Sequence, residues 1–309
     1  MSCIVLTDGK AGHENQSKAF AASLGCEVRL VNVRFKSPFL KMLSYPLDWI
    51  GVKTLSLFEF PGGEPSLDGV HAVVGAGSGT FYAAKALARR CSPRAGCAAI
   101  LYPRGYVLSG FDCILAPSFD RPAKRPNIVE LPANIVAGDD AFYEKGVAAF
   151  RARHATSSRP AAAVVVGGPN KCSTMTAQWM KERLDEIFGR TEGMELWVTT
   201  SRRTPPDVES VVASYPWDYA LIYSKDTFNP VPAFVSLAES LYVTAESTGM
   251  LSEACSRGKA RVFALDNLKP GRHKFRRFLD GLRAGGCIDG ARKVDLTECF
   301  AKAKALLGL

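Results

Sequence analysis

Apolar residues fall into short unbroken runs, each followed by small and polar residues and then by a stretch with helical spacing. That order is expected of strands buried on both faces alternating with helices. The first run is C-I-V-L-T at 3–7, and D-G-K-A-G-H-E-N-Q after it reads as a loop running into a helix that stops at Gly25. A second strand is expected over 28–33. H-A-V-V-G-A-G-S-G-T-F-Y-A-A-K-A-L-A-R-R, from residue 71, repeats strand, loop and helix, and 97–102, 111–116 and 127–132 read as further strands. A helical pattern over 139–154 leads into the polar A-T-S-S-R-P, which reads as a domain boundary between 155 and 156.

The pattern then restarts. A-A-A-V-V-V at 161–166 reads as a strand, G-G-P-N-K-C-S-T as a loop and M-T-A-Q-W-M-K-E-R-L-D-E-I-F as a helix, with M-E-L-W-V-T-T and A-L-I-Y as further strands. Residues 241–259, L-Y-V-T-A-E-S-T-G-M-L-S-E-A-C-S-R-G-K, read as a strand ending near Thr244, a turn, a helix from about Ser247 and a stop at Gly258. A basic helical segment at 272–283 and a last helix follow. The expected architecture is two α/β domains of comparable size, 1–155 and 156–309.

One stretch departs from this order. Residues 34–60 interleave Lys and Arg with Phe, Leu, Met and Trp, while Pro38 and Pro46 break any long helix. Packing in the core or between domains is the preferred reading, and a face for a membrane surface is the alternative.

Composition narrows the class. With 309 residues, 47% hydrophobic, the chain can bury one large core or two ordinary ones. Lys and Arg outnumber Asp and Glu by 39 to 30, and the net charge of +9 favours acidic partners without choosing among nucleotides, nucleic acid and anionic headgroups. Nine cysteines show no C-x-x-C pair and no zinc-type spacing with the four histidines, so reduced core thiols in a cytosolic compartment are expected, and no metal site. The first residues begin directly with a strand-like run rather than a basic leader, and no apolar run reaches about 18 residues.

Candidate chemistry lies in the loops after strands, where open α/β sheets place ligands. In the first half Asp8, Gly9, Lys10, Gly12 and His13 follow one strand, and Gly75, Gly77, Ser78, Gly79 and Thr80 another. Neither G-x-G-x-x-G nor the P-loop pattern is present in the first of these, which sets aside the usual dinucleotide fold and a P-loop NTPase. In the second half, Gly167 and Gly168 admit close backbone approach, with Asn170 and Lys171 as donors. Ser201, Arg202, Arg203 and Thr204 suit phosphate oxygens, and Ser247, Thr248 and Gly249 open a helix whose N-terminus attracts anions. Glu253 could accept hydrogen bonds from sugar hydroxyls. The plainer readings are an N-cap at Ser247, solvated arginines and a surface histidine.

Several stretches taken together carry a resemblance. T-D-G-K-A-G-H-E-N-Q, V-V-V-G-G-P-N-K, V-T-T-S-R-R-T-P, the run from N-P-V-P-A-F-V-S to S-R-G-K and K-F-R-R-F-L-D-G-L resemble the bacterial branch of the plant mitochondrial-fission "elongated mitochondria" family. E-S-T-G-M stands where that family usually has D-S-x-S-M, and Ala260 where it has Pro. The family in turn resembles GT-B glycosyltransferases, especially the N-acetylglucosaminyltransferase that makes lipid II. The resemblance implies a GT-B-like fold: two Rossmann-like domains with parallel sheets facing an inter-domain cleft, the last helix crossing back to the first domain. It places Gly12 and His13 on the acceptor side and Ser252 and Glu253 on the donor's ribose side, and Gly9, Lys10, Gly77 and Ser78, in the first domain's loops, are then expected on the acceptor side too.

The function expected from all this is transfer of a sugar from a nucleotide-sugar donor to a cell-envelope or membrane-linked acceptor, without cofactor or metal. His13 is the expected general base and Asp8 its orienter. Nucleic acid is not an expected partner, an anionic membrane surface is, and the oligomeric state stays open. The expected location is cytoplasmic, peripheral on the inner membrane. A non-enzymatic recruitment protein and a nucleotide-sugar epimerase are the competing readings.

Overall fold

The computed structural model describes the whole chain, Met1–Leu309. In chain order the elements are β1 (Ser2–Thr7), α1 (Ala11–Ser23), β2 (Glu27–Asn32), β3 (Arg34–Phe35), α2 (Pro38–Trp49), β4 (Phe58–Glu59), β5 (Val70–Ala76), α3 (Phe81–Arg90), β6 (Gly96–Ile100), β7 (Cys113–Pro117) and β8 (Ile128–Leu131). There follow α4 (Asp140–Arg151), β9 (Ala161–Val165), α5 (Ala177–Arg190), β10 (Glu195–Thr199), α6 (Pro206–Ala213), β11 (Tyr219–Leu221) and α7 (Val231–Leu237). The last elements are β12 (Ser240–Thr244), α8 (Thr248–Ser256), β13 (Arg261–Leu265), α9 (Lys274–Ala284) and α10 (Thr297–Leu306).

The chain divides into two compact units, Met1–Ala137 with Asp295–Leu309, and Gly138–Val294. Unit 1 holds a parallel sheet of order β2-β1-β5-β6-β7-β8. Alternate residues of each strand face opposite layers. Ile4 and Leu6 point to the layer of α2 and α3, while Cys3 and Val5 meet Phe20 and Ala21 of α1, Leu24 just after it and Ala303 of α10. The strands are apolar throughout because both faces are covered. All nine cysteines are free thiols, and all but Cys172 and Cys299 are buried. Burial pushes the Cys3, Cys97 and Cys113 thiols up to about 12.

Unit 2 holds a second parallel sheet, order β11-β10-β9-β12-β13. Its α4 corrects the boundary expected at 155. Phe150 of α4 is fully buried, with ring centroids 5.0 Å from Trp197, 4.8 Å from Tyr219 and 5.6 Å from Phe234, so this helix is part of unit 2's core and the division falls at 137/138. The polar 155–160 stretch is no free linker. Glu195, at the start of β10, accepts hydrogen bonds from the backbone N–H and hydroxyl of Ser157 and pairs with His154 Nε2 at 2.5 Å. Burial opposes its charge, but these donors and Trp197 Nε1 outweigh it and hold the carboxyl at about 2.

The 34–60 stretch also differs from expectation. Pro38 starts α2, as suits its fixed φ, but Pro46 lies inside the helix rather than ending it. The residues this helix buries are Ser44 and Asp48, whereas Phe39, Met42 and Trp49 are 64%, 63% and 72% exposed. Asp48 accepts from Lys85 Nζ at 2.7 Å and from the Val107 N–H at 2.7 Å, and Lys53 lies 3.0 Å away. Burial opposes ionisation of Asp48, but Lys85 and its other donors hold the carboxyl below its ordinary value; Lys85 is lowered by burial despite Asp48. Breaking a buried pair strands the surviving charge. Asp48→Ala leaves two buried ammonium groups and should lose about 3–5 kcal/mol in urea unfolding, more than Lys85→Met, which leaves Asp48 its Lys53 and Val107 partners. Equal or trivial losses would contradict this account of α2.

Candidate functional site

In each sheet one strand has neighbours reached in opposite directions along the chain. In unit 1 β1 lies between β2 and β5, and in unit 2 β9 lies between β10 and β12. These are topological switch points, where the loops at the carboxyl ends of the strands diverge and leave a crevice. The loops singled out from sequence after β1, β5, β9 and β12 stand at these two places.

In unit 1, helix α1 begins at Ala11, so Gly12 and His13 lie in its first turn rather than in a loop. Gly9 has φ +80°, which favours glycine, while Gly12 is helical and a Cβ there would meet nothing within 4 Å. The Asp8 carboxylate accepts from Lys10 Nζ at 2.9 Å and lies 3.3 Å from His13 Nδ1. Burial alone would raise the Asp8 carboxyl, but Lys10 and His13 outweigh it and hold it below its ordinary value. His13 Nε2 makes no hydrogen bond, and the side chain is 23% exposed. Across the crevice, Gly77 has φ +76°, and a Cβ there would enter the His13 ring; one on Gly79 would lie 2.7 Å from Asp8 Oδ2. These glycines therefore make room for Asp8 and His13. The Ser78 carbonyl accepts from Tyr106 Oη at 3.4 Å.

In unit 2, the glycines after β9 are equally constrained. A Cβ on Gly167 would collide with the Glu246 carboxylate, and one on Gly168 with the Arg203 backbone. Glu246 is 2% exposed and accepts from Thr244 Oγ1 at 3.0 Å and Asn267 Nδ2 at 2.8 Å. Thr244 in turn accepts the Gly167 N–H at 2.8 Å, and Thr204 Oγ1 donates to the Gly167 carbonyl at 2.5 Å. Thr244, Glu246 and Asn267 were not among the candidate residues read from sequence, and Thr204, expected to face phosphate, is instead turned to the Gly167 carbonyl. The one available signal was Glu246 standing where the related pattern has Asp.

Several expected ligand donors have partners within unit 2. Asn170 accepts the Cys172 N–H and donates to the Glu246 carbonyl. Ser201 accepts the Arg203 N–H at 3.3 Å and contacts Thr204. Ser247 is the N-cap of α8, accepting the Met250 N–H at 3.5 Å, and Ser252 is buried with its hydroxyl on the Thr248 carbonyl. Arg202, Arg203 and Lys171, by contrast, are exposed side chains outside any ion pair, and a Cβ on Gly249 would meet nothing within 4 Å. Glu253 accepts from Tyr143 Oη of α4 at 3.0 Å. Burial raises its carboxyl above the ordinary range, against the smaller effects of Tyr143 and Arg257. A cavity of about 470 Å³ lined by Tyr143, Arg151, Ser236 and Arg257 lies at the C-terminal end of α8, away from Ser247. No group of three or more His, Cys, Asp or Glu side chains is placed to hold a metal ion.

Residues 11–300 match the family model for Mitochondrial fission ELM1. The chain belongs to this family. The ELM1-family chain is 25% identical over 248 residues to the mitochondrial fission protein ELM1 of Arabidopsis thaliana, a match covering 72% of this chain and 57% of that protein. It thus spans a little over half the length of that relative. Among solved structures, a Listeria monocytogenes protein assigned as a UDP-N-acetylglucosamine 2-epimerase aligns over 100% of this chain and 88% of its own, with TM-score 0.54 and 12% identity. The UDP-GlcNAc 2-epimerase of Neisseria meningitidis, solved bound to UDP-GlcNAc, aligns over 99% and 91%, with TM-score 0.50 and 12% identity. The fold of this ELM1-family chain is accordingly GT-B-like, with two Rossmann-like units of parallel sheet.

Glu253 provides a test of the local geometry. A carboxyl raised in the fold binds its proton more tightly there than in the unfolded chain, so stability falls as pH rises from the unfolded value toward the folded one. Glu253→Gln keeps an acceptor for Tyr143 and removes this loss. The variant should be more stable than the parent at pH 7, with the advantage vanishing below about pH 4, where carboxyls are protonated in both states. A Gln variant that is less stable at neutral pH would show a charged, well-solvated Glu253 instead.

Proposed function

We propose that the chain binds a nucleotide-sugar donor and transfers its sugar to a hydroxyl of a cell-envelope or membrane-linked acceptor. The observation that carries this reading is the Asp8–His13 pair at the unit 1 switch point. The carboxylate faces Nδ1 of the ring, and Nε2 makes no hydrogen bond, which is the arrangement of an oriented general base. Asp8 favours the tautomer with the proton on Nδ1 and steadies the imidazolium formed when His13 takes the acceptor's proton. In unit 2, Arg202, Arg203, Lys171 and the α8 N-terminus supply positive charge for the donor's diphosphate and its developing negative charge as the sugar departs. Glu246 lies beneath this crevice as a buried carboxylate hydrogen-bonded to Thr244 and Asn267, so the cations must also offset its field.

A second reading, a recruitment protein that keeps the fold without the reaction, is favoured by one observation. Asn170, Ser201, Ser252 and Glu253 have hydrogen-bond partners inside unit 2. Thermal unfolding against a panel of nucleotides and nucleotide sugars separates the two, because a ligand at about 100 times its dissociation constant adds roughly 2.7 kcal/mol. The transferase reading expects a shift with a nucleoside diphosphate, weakened by about 1.5–3 kcal/mol of binding energy in Arg202→Ala or Arg203→Ala. With the donor so identified, His13→Ala should lower turnover roughly 10²- to 10⁴-fold while nucleotide affinity is kept, and Asp8→Asn should lower it less. No shift with any nucleotide favours the recruitment reading, and wild-type turnover in His13→Ala takes the base role from that residue.

A further inference from the structure

Helix α2 is built with its polarity reversed. Its buried positions are Ser44, hydrogen-bonded to Tyr106 Oη at 2.9 Å, and Asp48, held by Lys85 and Lys53. Leu40, Tyr45 and Leu47 cover the core only in part, and the outward face carries Phe39 at 64%, Met42 at 63%, Trp49 at 72% and Ile50 at 73% exposure, continued by Val52 at 44%. Spacings of three, seven and one along a helix put Phe39, Met42, Trp49 and Ile50 in one continuous stripe. Beyond the Trp49 indole N–H the fold makes no use of it, since the helix is fixed from its other side by hydrogen bonds and ion pairs. Contiguous exposed apolar side chains on this scale mark a surface that meets a partner.

The charges around the stripe choose the partner. Residues 34–60 contain two acids, and both are in ion pairs, Asp48 with Lys85 and Lys53, and Glu59 with Arg34. Lys36, exposed just before the helix, has no ion pair, and the exposed Arg89, which reaches the Gly51 carbonyl at 3.0 Å, has none either. An uncompensated basic rim around apolar and indole side chains is suited to a phospholipid surface with anionic headgroups, where apolar groups enter the acyl boundary and cations stay at headgroup level. The indole Nε1 of Trp49 donates to the Gly105 carbonyl at 2.9 Å, which holds the ring in place at the edge of the stripe. At 12 residues α2 is about 18 Å long, and no helix of the chain is long and apolar enough to cross a membrane, so this one lies flat.

We propose that the outer face of α2, with Lys36 and Arg89, docks the protein reversibly on an anionic phospholipid surface. The surface serves a transferase and a recruitment protein alike, so it does not depend on the reading above. The test is sedimentation with vesicles of phosphatidylcholine alone and of phosphatidylcholine with about one part in three phosphatidylglycerol. Binding to the mixed vesicles only is expected, weakening as salt rises well above the physiological range in which the screening length is about 8 Å. Phe39→Ser with Met42→Ser, and separately Lys36→Glu with Arg89→Glu, should each lower the vesicle partition constant at least about tenfold. All four positions lie outside the buried network, so thermal unfolding of both variants should match the parent. Tryptophan emission should shift to the blue on mixed vesicles, and the shift should be lost in Trp49→Phe. Equal binding to neutral and mixed vesicles, no binding, variants that bind like the parent, or self-association through this face in place of vesicle binding would each overturn the proposal.

Discussion

At both switch points a carboxylate from one loop rests against a glycine of the neighbouring loop, with no room for a methyl group between them. Asp8 lies on Gly79 in unit 1, and Glu246 lies on Gly167 in unit 2. Everything else in the two crevices is arranged around these contacts. His13 reaches Asp8 only because its ring occupies the space over Gly77, and the β9 loop is fixed to the β12 strand because Thr244 bridges the Gly167 N–H and Glu246. A carboxylate half-buried at Asp8 and buried at Glu246 is tolerable because donors surround it: Lys10 and His13 for Asp8, Thr244 and Asn267 for Glu246. The glycines are thus needed for internal packing as much as for access by a ligand.

This explains which parts of the molecule were legible in the sequence. Runs such as residues 3–7 and 161–166 are apolar because parallel strands are covered on both faces, so strand order along the chain and the loops following each strand could be read directly. The same reading found His13 beside Asp8, whose partners are close in sequence. It could not find Asn267 beneath Glu246, or the contact of Gly77 with His13, since those depend on which strands become neighbours. Nor could it assign α4. The polar residues at 155–160 have the composition of a linker, and only Glu195, some forty residues on, makes them part of the base of a sheet. Gly12 shows the opposite error: a glycine in a promising motif that the backbone does not require.

Two different uses of charge run through the structure. Buried pairs, such as Asp48 with Lys85, fix elements whose apolar side chains are turned elsewhere. Exposed and unpaired cations, Arg202 and Arg203 on unit 2 and Lys36 on unit 1, contribute to the net charge of +9 and are free to meet anions from outside. The plant relative shares the family but is considerably longer, and the epimerases share the fold at 12% identity, so the chemistry of this chain has to be argued from its own crevices. The proposed transferase takes them as an anion site in unit 2 and a proton-transfer pair in unit 1.

The most direct test of that account is amide hydrogen exchange read peptide by peptide, with and without a saturating nucleoside diphosphate or nucleotide sugar. Binding at the unit 2 switch point should slow exchange in residues 167–171, 201–204 and 247–250, where backbone N–H groups and basic side chains lie at the carboxyl ends of β9, β10 and β12. Protection confined to the cavity of Tyr143 and Arg257, or no protection anywhere in unit 2 at a concentration that saturates binding, would contradict it.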